Sequence, residues 1–112
     1  MLGVPGRVAF GAWTVRAEPS APEPRDGVVA ARGPFLVRAW RAGDRMAPLG
    51  MGGHTRSLQD LFTDRKVPRE RRSSIPVLDA GGEIAWVPGV AVGERFRPGG
   101  GPVVGISARR AA

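Results

Sequence analysis

The chain has 112 residues, enough for one small domain, and carries 17 lysines and arginines against 10 aspartates and glutamates, a formal charge of +7. It contains no cysteine, which excludes a disulfide framework, a thiolate nucleophile and a cysteine-based metal site. The opening residues, MLGVPGRVAFGAW, meet Arg7 early, and no segment approaches the roughly 20 apolar residues of a membrane span, so the sequence reads as a soluble, cytoplasmic chain with no secretory signal.

In chain order, Arg7–Arg16 (RVAFGAWTVR) predicts one strand covered on both sides, with Val8 and Phe10 on one face, Trp13 and Val15 on the other, and a bulge at Gly11 that switches between them. Ala17–Gly27 holds three prolines and both signs of charge, which predicts a surface loop or short linker. Short strands follow at Val28–Ala31 and Phe35–Trp40, and the run containing Pro48, Gly50, Gly52 and Gly53 breaks regular structure. Thr55–Arg65 then places Leu58, Leu61 and Phe62 at helical spacing, with Thr55 or Ser57 able to cap the first free amides. Pro68 opens one or two further helical turns carrying Arg69, Arg71 and Arg72, which end before Pro76. The last third returns to strands at Ile75–Leu78, Glu83–Val87, Val90–Phe96 and Val103–Ala108, with RPGGGP at 97–102 as a low-complexity patch. Seven short strands and two short helices make an α+β domain spanning 1–112.

Groups for catalysis are scarce. His54 is the only histidine, no serine stands in a glycine-flanked nucleophile elbow, and GMGGHT lacks the spacing and the lysine of a phosphate-binding loop. Asp44 among arginines reads as a structural ion pair or an Asx turn rather than a general base.

The arginines say more. Lys66 is the only lysine, so nearly all the excess charge is guanidinium, whose forked donors suit phosphate and carboxylate. Between Arg38 and Arg72 there are nine basic residues against four acidic ones, a net +5. Arg69 and Arg72 share a helix face, and Arg65 with Lys66 closes the preceding helix. A pI near 11.7 favours a polyanionic partner, most often nucleic acid. The pattern fits a strip that follows a phosphate backbone or a solvated face of local Arg–Asp pairs, and composition leaves both open. Trp13, Trp40 and Trp86 can stack on unpaired bases, but all three lie in apolar strands, which favours the core; Trp40, beside Arg41 at a strand end, is the best placed of the three to contact a ligand.

VRAWRAGDRMAPLGM, followed by RSLQDLFTDRKVPRERRSSIPVL and GEIAWVPGVAV, resembles the carboxyl-terminal domain of tRNA(Ile)-lysidine synthetase. The matching positions are Arg38, Arg41, Gly43-Asp44-Arg45, Pro48, Gly50, Leu58, Phe62, Lys66-Val67-Pro68, Arg72, Pro76, Trp86 and Gly89, so the signature covers 37–97. Ala42 stands where the family often has proline, which loosens the turn slightly.

The resemblance implies a β-sandwich-like core of short strands with two short helices, related to part of the phenylalanyl-tRNA synthetase β-subunit. It also implies a non-catalytic, tRNA-binding role on the acceptor-stem side of the minor isoleucine tRNA with a CAU anticodon. Lysine attachment to the wobble cytidine, with its ATP and magnesium, would belong to an amino-terminal PP-loop domain whose Ser-Gly-Gly-x-Asp-Ser signature does not occur here. The implied RNA contacts are Arg38, Arg41, Arg45, Arg56, Lys66, Arg69 and Arg72, with Gly43, Asp44 and Gly50 shaping the turn. Arg72 has a rival role, pairing with Asp44 or Asp60 to hold helix to loop. The implied partners are that tRNA and the catalytic domain of the same enzyme, with a homodimer allowed and no membrane. A structural module whose arginines meet neighbouring domains is the alternative, and an independent small enzyme is disfavoured by the scarcity of acid-base groups.

Overall fold

The computed structural model describes residues 1–19, 27–29, 34–96 and 104–110. Most of the proline-rich segment, the end of the strand expected at Val28–Ala31, the RPGGGP patch and Val103 lie outside the described residues.

The first expected strand is a hairpin. Strands β1 (Gly6–Phe10) and β2 (Trp13–Glu18) pair antiparallel around a tight turn at Gly11 and Ala12, which sets Phe10 directly opposite Trp13. The change of face read at Gly11 is therefore a reversal of the chain rather than a bulge. The proline-rich loop also begins later than expected, because Ala17 and Glu18 still belong to β2.

Ten strands form two four-stranded antiparallel sheets and one two-stranded ribbon among the described residues. The first sheet has the order β1-β2-β10-β3, where β3 is Gly27–Val29 and β10 is Val104–Arg110. The second has the order β4-β7-β8-β9, built from Leu36–Arg38, Val77–Ala80, Glu83–Val87 and Ala91–Val92. The ribbon joins β5 (Arg45–Met46) to β6 (Arg56–Ser57), and it was not foreseen because two-residue strands leave no period to read. The strand expected at Val90–Phe96 stops at Val92 and turns into a 3₁₀ helix at Glu94–Phe96.

The second sheet is the middle of three layers. Leu78, Ala85 and Trp86 pack toward Val15, Ala17, Ile106 and Ala108 of the first sheet, with Leu2 and Phe35 in the same cluster. Val77, Ile84 and Val87 face the other way, onto Leu58, Leu61 and Phe62 of helix α1 (Leu58–Asp64). Burial on both faces explains why β8 reads as an almost unbroken apolar run.

One irregularity fits β8 between its neighbours. Leu78 pairs with Trp86 and Asp79 with Ile84, so Ala85 is an extra residue and lies, like Trp86, on the first-sheet side. The freed Ala85 carbonyl accepts the Gly93 amide at 2.8 Å. This close approach needs glycine: a Cβ at Gly93 would stand 2.9 Å from the Ile84 carbonyl oxygen and 3.0 Å from the Phe96 ring. Gly93→Ala is expected to lower unfolding stability by about 1–3 kcal/mol, the usual range for overpacking, as measured by urea denaturation.

Candidate nucleic-acid interface

The turn after β4 is organised by Asp44. Its carboxylate accepts two hydrogen bonds from the Arg38 guanidinium, at 3.0 and 3.1 Å, and a third from the Arg41 backbone amide at 2.7 Å. Its carbonyl accepts the Leu58 amide at 2.9 Å, which anchors the first turn of α1 to the loop. Gly43 sits just before it at φ +91°, a conformation that strains any side chain, and Gly50 donates its amide to Glu94 at 3.3 Å. Gly43 and Asp44 thus stand in the turn between Arg41 and Arg45, and Gly50 stands in the next loop, between β5 and β6.

Arg38 reaches a second acid as well. Its Nε donates to Asp79 at 3.2 Å, and both side chains are 11% exposed. Asp79 in turn accepts the Gly82 amide at 2.6 Å, closing the β7–β8 turn. Sequence reasoning missed Asp79, although a carboxylate inside the apolar run IPVLDA had to find a partner.

The electrostatics follow from this geometry. Hydrogen bonding to Asp44 raises the Arg38 pKa despite the opposing effect of burial, and Asp79 adds to it. For Asp44, burial alone would raise the pKa, but the Arg38 hydrogen bonds, the Arg41 amide and nearby positive charge outweigh it and hold the carboxyl below its ordinary 3.8.

The first helix is capped at both ends. Ser57 Oγ accepts the Asp60 amide at 3.1 Å, so Ser57 rather than Thr55 is the cap, and the helix is shorter than the expected Thr55–Arg65. At the other end Val67 donates to the Phe62 carbonyl and Lys66 to that of Thr63, with Lys66 at φ +57°. This is a Schellman cap with lysine where glycine is usual, at a cost of about 1 kcal/mol.

Arg72, in the second helix α2 (Arg69–Arg72), is buried. It donates to the Val67 carbonyl at 3.1 Å and to Thr63 Oγ1 at 3.4 Å, and its guanidinium lies over the Phe62 ring at 5.5 Å. It does hold helix to neighbouring chain, but not through Asp44 or Asp60: Arg38 already occupies Asp44, and Arg72 grips the cap that joins the two helices.

The remaining candidates fall into distinct places. Arg41 is exposed beside Asp44, and Arg45 is exposed with its guanidinium on the Thr55 carbonyl and hydroxyl. Arg56 is paired with Asp64, which raises its pKa. Arg69 shares a pocket of about 220 Å³ with Trp40, Gln59 and Arg72. Trp40 is half-buried there, packed edge-on to Phe62 with ring centroids 5.4 Å apart. Arg56, Asp64 and Arg65 line a different pocket, with Arg65 donating to the Val90 carbonyl at 3.2 Å. Gln59 and Asp64 stand about 140° apart around α1, so the pocket beside Arg69 and the pocket beside Arg56 open on different sides of that helix. Lys66 lines a third pocket with Arg71 and Trp13, whereas Trp86 is a core residue.

These features define a small α+β domain with three packed layers, two inward-turned arginines that brace a loop and a helix pair, and an arginine-rich surface beside a half-buried tryptophan. Residues 35–102 match the family model described as the TilS substrate C-terminal domain, and the chain belongs to that family. A crystal structure of a TilS C-terminal domain superposes with a TM-score of 0.80 at 29% identity, over 99% of this chain and 95% of the other. The tRNA(Ile)-lysidine synthase of Symbiobacterium thermophilum is 48% identical over 80 residues, 70% of this chain and 16% of that protein. That of Geobacter sulfurreducens is 53% identical over 64 residues, 57% of this chain and 13% of that protein. The chain therefore spans a small part of the length of these relatives. Among the described residues no helix is long and apolar enough to cross a membrane, and no cluster of three or more histidine or acidic side chains could hold a metal ion.

Asp44→Asn is expected to cost about 1–3 kcal/mol by taking one of its two part-buried carboxylate partners from Arg38. Because the folded pKa of Asp44 is depressed, its contribution is complete above the unfolded value and is lost as pH falls through the folded one. The stability gap between the native chain and Asp44→Asn should therefore stay level from neutral pH to about 5 and narrow below about 4, as followed by urea denaturation across pH. Lys66→Gly should instead gain about 0.5 kcal/mol by relieving the left-handed backbone, seen as a higher thermal midpoint.

Proposed function

We propose that this chain is the tRNA-holding, non-catalytic domain of a tRNA(Ile)-lysidine synthase, which grips the acceptor-stem side of the minor isoleucine tRNA while a separate catalytic domain uses ATP to attach lysine to the wobble cytidine. Family membership supports the reading, and the division of its arginines carries it. Arg38 and Arg72 are turned inward and hold the framework, so the RNA-facing set narrows to Arg41, Arg45, Lys66 and Arg69, with Arg56 available once it leaves Asp64. An A-form duplex offers phosphates and 2′-hydroxyls across its shallow groove, and exposed forked guanidinium groups on a rigid support match that surface. Trp40, braced by Phe62 beside Arg69, adds an aromatic edge to the same patch.

A second reading has the domain docking onto other parts of the same enzyme. Leu49 and Met51, 45% and 43% exposed in the glycine-rich loop, favour it, because large apolar side chains at a loop tip suit a protein surface.

Fluorescence anisotropy across a salt series, with the minor isoleucine tRNA, an unrelated tRNA and a plain RNA duplex, separates the two. The expected result is RNA binding whose log affinity falls with log salt, with Arg41→Ala and Arg69→Ala each flattening that slope by about 0.7–0.9. Absence of binding to every RNA at low salt would overturn the RNA-holding reading and favour docking.

A further inference from the structure

The pocket that holds Lys66 differs in chemistry from the rest of the surface. It encloses about 280 Å³ between the end of the first sheet, the turn joining α1 to α2, and the β8–β9 turn. Its wall includes Trp13, Val67, Pro68 and Pro88, and its cations are Lys66, Arg71 and Arg110. Among the described residues no carboxylate lines it. The larger pocket of about 580 Å³ contains Asp64, which neutralises Arg56, while its Arg65 is already bonded to a carbonyl.

Two observations point to a ligand. The side chains of Lys66, Arg71 and Arg110 are exposed and have no hydrogen-bonding or ion-pairing partner among the described residues, although they converge on one small cavity. Trp13, paired across the sheet with Arg110, is half-buried, and its indole N–H is a buried donor with no partner among those residues. Buried donors are ordinarily satisfied, so an unpaired one on a residue that lines a cationic pocket is a departure that asks for a partner.

We propose that this pocket receives a single unpaired nucleotide of the bound RNA, its base against the Trp13 and proline wall and its phosphates on Lys66, Arg71 and Arg110. The proposal rests on the RNA-holding reading and adds a class of contact to it. A base inside a duplex is stacked and cannot enter a cavity, whereas an unpaired base presents a flat apolar face and carries phosphates on either side. A plain anion would need the cations but not the apolar wall, and an apolar ligand would need the wall but not the cations.

The test uses the ¹⁵N-labelled chain with two RNAs, a blunt duplex and the same duplex bearing one unpaired 3′ nucleotide that ends in a 3′-phosphate. Three indole N–H signals are expected, and Trp13→Phe identifies that of Trp13 by its loss. The overhang should shift the Trp13 signal, and anisotropy should show about tenfold tighter binding than to the blunt duplex. Trp13→Phe, which keeps a ring in place, and Arg110→Ala, at an exposed strand end, should each reduce that preference, while Arg69→Ala weakens both RNAs alike. Equal affinity for the two RNAs, or a preference untouched by both pocket variants, would overturn the pocket while leaving the RNA-holding reading intact. Failure of both RNAs to bind would overturn the two together.

Discussion

One arginine between two carboxylates sets the geometry on which the rest of the surface depends. Arg38 leaves β4 and binds Asp44 in the loop on one side and Asp79 in β7 on the other. An ion pair so little exposed is weak evidence for net stability, because desolvation offsets much of the attraction. Its contribution is specificity: with both acids engaged, the loop has one position relative to the second sheet. Asp44 then fixes the Arg41 amide and the start of α1, and Asp79 fixes the following turn.

The same chemistry recurs at the helix pair. Arg72 spends its donors on the carbonyl and hydroxyl groups near the α1 cap and lays its charge on Phe62, which also supports Trp40. One buried and one half-buried arginine thus hold the backbone from which exposed ones project. The arrangement lets a basic domain carry many guanidinium groups, because those nearest the core are neutralised or hydrogen-bonded within the fold and the remainder are exposed to solvent. A rigid base also lowers the entropy lost when exposed arginines engage phosphates.

Much of this was legible in the sequence, and the limits have physical causes. The first helix followed from the spacing of Leu58, Leu61 and Phe62, and the turn at Gly43-Asp44 from residue types that few other conformations favour. The α+β class followed from the change of period along the chain. Trp13 was harder, since alternation on either side of Gly11 is the same for a bulged strand and for a tight hairpin. The local sequence carries no information about whether Phe10 faces Trp13 across a ladder. The roles of the arginines were harder still. Arg38 and Arg41 are equivalent by composition, and only the long-range pairing of β4 with β7 brings Asp79 to Arg38 and leaves Arg41 outside. Arg72 was suspected of bracing the fold, but the partner could not be named without knowing that Lys66 turns the chain back over Phe62.

The order of strands in the first sheet has a consequence for synthesis. β10 lies between β2 and β3, so until residues 104–110 have been made β2 lacks a partner along one edge and β3 has none in the sheet. The second sheet and α1 come from 36–92 and can assemble earlier on the ribosome, with the Leu78, Ala85 and Trp86 face still uncovered. Closure of the sandwich is therefore a non-local event, slow by its topology and dependent on the emergence of β10. A nascent chain halted before Val104 would present an open sheet edge and a bare apolar face, the combination that invites pairing with other chains.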